Sequence, residues 1–189
     1  MLTEFIGALE RILPLKPEVE GYIREITSVQ KLHKGSILLS EGQISDRIFY
    51  IQEGLVRCFY FEKNEEITSW IVAEENFICS TYSFIQQKPS FETIQLLEDS
   101  TVFSLSHAQL EECYRKFPEM AYISLKISEN YLLLHDERVR SLRLSAAERY
   151  NRFQKRFPGI ASRTKTQHLA SYLGLSRSCL NLIRAKKKS

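Results

Sequence analysis

Apolar and polar residues change their period twice along this chain, and the changes divide it into three stretches. In the first thirty residues Phe5, Leu9, Ile12 and Leu13 recur at helical spacing, Pro14 and Pro17 interrupt, and Val19, Tyr22, Ile23 and Ile26 resume the period. This predicts short helices that cover one end of the second stretch. From Gln30 to Ser106 the pattern becomes short runs rich in Ile, Val, Phe, Tyr and Thr, broken by turn signals at Lys34-Gly35, Glu41-Gly42, Glu53-Gly54 and Lys63-Asn64. The runs are Ser36 to Leu39, Arg47 to Gln52, Leu55 to Phe61, Glu66 to Val72, Thr93 to Leu97 and Thr101 to Leu105. Their even spacing predicts a small antiparallel barrel or roll, its glycines supplying positive φ or close strand packing.

After His107 the period is helical to the end. Pro118 opens a long segment in which Met120, Ile123, Ile127, Tyr131 and Leu134 stand three and four apart, with Ala121, Leu125, Leu132 and Leu133 widening the apolar face. A helix from Glu119 to about Arg143 would be roughly 36 Å long at 1.5 Å per residue. Its face is too broad for one body. One stripe can pack on the chain's own barrel and the other on a symmetric partner, which makes Met120, Ile123, Ile127, Tyr131 and Leu134 candidate dimerisation positions. A helix buried wholly within one subunit would show the same spacing. Ser145-Ala-Ala-Glu148 is a capping box that opens a further helix with the apolar face Ala146, Tyr150, Phe153 and Phe157, ended by Pro158-Gly159. A hinge is expected near residues 141 to 145.

The stretch from Thr166 to Arg184 has the signature of a helix-turn-helix. Leu169 and Leu173 face the core, Ala170 is small where two helices approach, Gly174 suits the tight turn, Ser176 can cap the second helix, and Leu180 and Ile183 pack it back on the first. Charge adds weight to this reading. Residues 1 to 137 carry 12 Lys+Arg against 22 Asp+Glu, and residues 138 to 189 carry 14 against Glu148 alone, so the two parts are −10 and +13. A basic segment of that size with apolar periodicity is the footprint of a module that meets phosphate, where a merely solvated tail would lack the period. In such a motif the start of the second helix enters the major groove, so Arg177, Ser178 and Asn181 are candidates for base edges, Arg suiting guanine and Asn adenine. Lys165, Gln167, His168, Ser176, Arg184, Lys186, Lys187 and Lys188 are candidates for backbone phosphates, although a lone His such as His168 is equally an exposed polar residue without a role.

Composition narrows the remaining classes. The four cysteines Cys58, Cys79, Cys113 and Cys179 are widely spaced with no CxxC pair, which argues against zinc, an iron–sulfur cluster or a disulfide framework and for buried thiols. No apolar stretch approaches a membrane span, and Met1 to Glu10 has two acids and no basic region, so a cytoplasmic protein without a signal peptide is expected. His33, His107, His135 and His168 are scattered, and no nucleophile-base order, paired carboxylates or phosphate loop stands out, so no catalytic residue is assigned and the chain reads as a non-enzyme.

The order of roll, long helix and helix-turn-helix resembles the Crp/Fnr superfamily of bacterial transcription regulators, and is most similar to its Bacteroidetes-type branch. The matching residues are Lys34-Gly35, Glu41-Gly42 and Phe49 to Arg57 in the roll, then Ala147-Glu148-Arg149-Tyr150 and Ala170 to Arg177. The resemblance implies an α+β protein: a cyclic-nucleotide-binding-like antiparallel β-roll with flanking helices over 1–118, a dimerisation helix over 119–143 and a helix-turn-helix DNA-binding domain over 144–189. It also implies a homodimer on a pseudo-palindromic duplex, with RNA polymerase as a further partner and no membrane. Two departures stand out. Cyclic-nucleotide binders of the family hold ribose with a Gly-Glu pair and phosphate with an Arg-Ser/Thr-Ala run, but the stretch Glu75 to Ile94 has neither, and Glu92 there would repel a phosphate. Lys88 is a loop lysine before Pro89, a setting that is more often solvated than a phosphate partner. Cyclic AMP binding is therefore not expected, no cofactor is predicted, and the roll is either a sensor of an unnamed effector or only a dimerisation scaffold. Secondly, the chain ends at Ser189 just after the second helix, so the DNA-binding domain is expected to lack the usual wing, the Lys186-Lys187-Lys188 run restoring part of its charge. The other reading is a sensor module whose roll binds a small molecule or protein, with no sequence-specific DNA binding.

Overall fold

The computed structural model describes residues 2–186. Two helices, α1 (Thr3–Glu10) and α2 (Pro17–Ile26), precede β1 (Ser28–Leu32), β2 (Ile37–Leu39), β3 (Arg47–Glu53), β4 (Val56–Glu62), β5 (Glu65–Val72) and β6 (Asn76–Ile78). A short α3 (Thr81–Gln86) leads to β7 (Thr93–Leu96) and β8 (Ser100–Ser106), after which the chain is helical: α4 (His107–Lys116), α5 (Glu119–Ser141), α6 (Ala146–Arg156), α7 (Pro158–Arg163), α8 (Thr166–Tyr172) and α9 (Arg177–Lys186). The strands form two four-stranded antiparallel sheets, in the orders β1-β8-β3-β6 and β2-β7-β4-β5, that enclose a roll. The chain is thus mixed α and β, with an antiparallel roll and a long helix.

The roll interior is filled by Leu39, Phe49, Ile51, Val56, Cys58, Val72, Ile78, Ile94, Leu96 and Val102. The other face of β3 and β8 is covered too. Tyr50, Phe103 and Leu105 pack with Phe5, Ile6 and Leu9 of α1, Val19 and Ile23 of α2, and Met120 and Ile123 of α5. Burial on both faces is why β3 reads as a continuous apolar run rather than an alternation. Between β3 and β4, Gly54 sits at φ +118 against Ser100, where a Cβ would collide with the serine side chain. Ser145 caps α6 in the expected box, its hydroxyl accepting from the Glu148 N–H while Glu148 reaches back to the Ser145 N–H at 3.1 Å.

The structure differs from the sequence reading in several places. It adds β1, β6 and α3, which the period does not predict. β1 is an edge strand whose residues are largely exposed, so it carries no apolar alternation, and β6 is three residues long. Pro158 does follow the end of α6, but it also opens α7 at a position where its missing N–H costs nothing. The long helix ends at Ser141, and Leu142 to Leu144 lead straight to α6.

The dimerisation set requires a correction. Met120 and Ile123 are fully buried in the chain's own core, Ile127 packs against that core, and Tyr131 lies against Trp70 with ring centroids 5.2 Å apart. These residues occupy the inward stripe. The outward apolar stripe of α5 is Tyr122, Leu125, Leu132, Leu133 and Val139, all exposed.

Candidate nucleic-acid interface

The α8–α9 pair is built from local signals that agree with one another. Leu169, Ala170, Leu173 and Leu180 are buried between the helices and α6. Gly174 takes φ +63 just past α8, and the chain reversal closes with the Gly174 N–H on the Ser171 carbonyl at 3.0 Å and the Leu175 N–H on the Ala170 carbonyl at 2.9 Å. This doubly bonded left-handed ending is the Schellman form, which glycine adopts without a Cβ penalty. Ser176 then accepts from the Cys179 N–H at 3.1 Å, capping α9. The outcome is a second helix whose first two turns expose Arg177, Ser178 and Asn181 together, with Leu182 exposed beside them. Leu182 is not among the residues the sequence pattern points to. As an apolar group at this face it suits a thymine methyl.

The expected phosphate contacts divide. Lys165 and Gln167 are exposed at the start of α8, Ser176 is exposed while acting as the cap, and Lys186 is exposed at the end of α9. Lys187 and Lys188 lie outside the described residues. His168 and Arg184 depart from the expectation. The Arg184 guanidinium donates to the Tyr150 hydroxyl at 3.2 Å, the Thr166 hydroxyl at 2.9 Å and the Ala161 carbonyl at 3.0 Å, so it ties α6, α7 and α8 to α9. His168 is 6 % exposed and faces the roll.

That contact between α8 and the roll is the feature least legible in the sequence. The Arg57 guanidinium of β4 is 4 % exposed. It forms a bidentate pair with Glu66, donates to Gln95 at 2.9 and 3.2 Å, and lies 2.8 Å from Nδ1 of His168. Burial, and after it the Arg57 charge, lowers the His168 pKa to about 4, so the neutral ring accepts the Arg57 N–H. The hydrogen bonds from Arg57 hold the Glu66 carboxyl below its usual range. Next to this cluster Ser171 accepts from the Thr68 N–H at 2.9 Å. On the far side Arg163 grips Glu74 at 2.7 and 2.8 Å and also pairs with Glu98. These bonds lower Glu74 to about 2. Between the two polar clusters Leu55 and Ile71 of the roll share one apolar core with Tyr150, Phe153, Ile160 and Leu169. Arg149 straps the α5–α6 junction by donating to the Leu142 and Leu144 carbonyls at 2.8 and 3.1 Å.

The segment from 75 to 94 holds a buried carboxylate. Glu92 is 8 % exposed, accepts from the Ser69 hydroxyl at 2.8 Å, and is raised above the usual carboxylate range by burial. The neighbouring thiols Cys58 and Cys79 are raised by burial and by Glu92, Cys79 to about 12. Lys88 is exposed. No group of three or more metal-ligating side chains occurs among the described residues, and no helix there is long and apolar enough to cross a membrane.

Residues 29–117 match the family model of the cyclic nucleotide-binding domain. No curated protein matches the chain. Solved structures of the same fold include FixK2 from Bradyrhizobium japonicum, 12% identical over 85% of this chain and 84% of that one, with a TM-score of 0.74. A transcriptional regulator assigned to the Crp/Fnr family from Eubacterium rectale is 15% identical over 92% and 84%, with a TM-score of 0.71. The c-di-GMP responsive global regulator CLP of Xanthomonas campestris is 15% identical over 92% of both chains, with a TM-score of 0.70. The likeness at these identities is one of fold: a cyclic-nucleotide-binding type of roll in an arrangement shared with Crp/Fnr regulators.

Proposed function

We propose that the chain is a DNA-binding transcription regulator of the Crp/Fnr type, divided into a roll (1–118), a dimerisation helix (119–143) and a helix-turn-helix domain (144–189), and acting as a homodimer. The observation that carries this reading is the face of α9, where Arg177, Ser178 and Asn181 stand exposed together on a helix whose cap, turn and buried side are all satisfied elsewhere. The +13 charge of residues 138–189 adds the attraction that draws such a face to a duplex. Arg177 and Asn181 read base edges, while Lys165, Gln167 and Lys186 meet phosphates. His168 and Arg184 drop out of the contact set because their polar atoms are engaged within the chain.

The free stripe of α5 supports the homodimer. Leu125, Leu132 and Val139 stand at seven-residue spacing, the period with which two helices supercoil. A two-fold dimer presents two α9 helices to half-sites about 34 Å apart, one turn of the duplex. The buried Glu92 supports a roll that does not take cyclic AMP, since a phosphate beside it would meet a carboxylate and no guanidinium.

Selection of bound sequences from a random duplex pool tests the reading. A two-fold symmetric consensus is expected, with Arg177→Ala losing the preference at the position it contacts and retaining binding to random DNA. Retention of wild-type preference by both Arg177→Ala and Asn181→Ala would remove α9 from base readout. Weak binding without a consensus would favour a sensor module whose basic part is only an electrostatic surface.

A further inference from the structure

A cavity of about 360 Å³ opens where the roll, α5 and the C-terminal helices meet, outside the roll interior. Its lining is mostly apolar and includes Trp70, Tyr131, Leu134 and Phe153. Its charge is unbalanced: six cationic side chains line it against the two carboxylates Glu75 and Glu137. Arg11 is paired with Glu75 and Lys126 with Glu129, but Arg138 and Arg149 form no ion pair among the described residues. Their outer nitrogens are held by backbone carbonyls, Arg138 by Tyr172 at 3.2 Å and Arg149 by Leu142, Leu144, Leu173 and Gly174. A surplus of cationic side chains beside an aromatic wall suits an anion with an apolar body.

We infer that this cavity binds a small amphipathic carboxylate, a monocarboxylic acid whose apolar body lies against the wall containing Trp70 and Phe153 and whose carboxylate pairs with Arg138 within the surplus positive charge of the lining. Guanidinium groups match a carboxylate in shape and charge, and the apolar wall matches a hydrocarbon or aryl body. Because the walls come from the roll, the long helix and the C-terminal helices, an occupant touches each part that DNA binding would need to coordinate.

The chain has a single tryptophan, Trp70, and it lies in the cavity wall, so its emission reports occupancy directly. Decanoate titrated into the full chain is expected to change Trp70 emission saturably, and decyltrimethylammonium, of equal chain length and opposite charge, is expected not to. Arg138→Gln weakens decanoate by about tenfold, the worth of one charge-assisted hydrogen bond. Leu134→Phe, which narrows the cavity and leaves every charge in place, weakens it as well. The inference is overturned by the absence of a saturable change, by equal binding of the two surfactants, or by wild-type affinity in both variants. The readout uses no DNA, so it succeeds or fails separately from the proposed regulator function.

Discussion

Protonation of His168 inside the α8–roll contact opposes folding. Burial and the Arg57 charge lower its pKa to about 4, whereas the unfolded chain titrates near 6.5. A histidine lowered on folding contributes stability that is complete above the unfolded value and is lost as pH falls from 6.5 towards 4. The wild type is therefore expected to lose about 3 kcal/mol across that window relative to His168→Gln, whose amide oxygen also accepts from Arg57 and does not titrate. Denaturant midpoints of the two proteins from pH 7.5 to 4 check this. Glu74 titrates in a lower window. Held at about 2 by Arg163, it stabilises the fold above its usual value near 4.5 and loses that contribution as pH falls towards 2. Because the pair is about one third exposed, Glu74→Gln is expected to cost only about 1 kcal/mol at pH 7, a difference that closes below pH 4.5. Residues whose roles follow from local geometry are legible in the sequence: Ser145, Gly174 and Ser176 sit as caps and turn. His168 and Arg184 are not, because each is engaged by residues 18 to 111 positions away, and a basic side chain looks the same in sequence whether it meets phosphate or its own fold.

Helices and strands with a clear period are legible, and those defined by their neighbours are not. The six apolar runs fall on β2, β3, β4, β5, β7 and β8, whereas β1 and β6 exist only because β8 and β3 offer them a ladder. For α5 the sequence shows two apolar stripes, but which of them faces inward depends on where the roll and α1 lie. The consequence for α5 is direct. Leu132→Glu on the outward stripe is expected to convert a dimer to a folded monomer in sedimentation equilibrium, whereas Ile123→Ala is expected to lower stability by about 2–4 kcal/mol through the cavity it leaves in the core. For the turn between α8 and α9, Gly174→Ala forces a Cβ into the left-handed region, 3.2 Å from the Arg149 guanidinium. A cost of about 1 kcal/mol in thermal melting is expected, accompanied by weaker duplex binding as α9 shifts.

At the scale of the whole molecule, an acidic roll and a basic helical part meet through two charged clusters around a shared apolar core. Arg57 with Glu66 and His168 marks one side, Arg163 with Glu74 and Glu98 the other, and the cavity bounded by Trp70, Arg138 and Arg149 lies where all three parts meet. The charge separation is visible in the sequence, but the sites where the two parts touch are not, because the pairing charges lie far apart along the chain. A roll with Glu92 in its interior predicts that cyclic AMP leaves the melting temperature unchanged, and a rise with its concentration would show that the carboxylate is no bar. The proposed division of labour, in which α9 reads sequence while the basic surface supplies affinity, separates specificity from salt-dependent attraction. It is tested most directly by measuring affinity for a selected duplex and for random DNA at two salt concentrations, in the wild type and in Arg177→Ala/Asn181→Ala. The wild type is expected to bind the selected duplex about 10³-fold or more tightly than random DNA, and the double variant to keep the salt dependence but lose most of that ratio. An equal ratio for the two proteins, or none for the wild type, would contradict it.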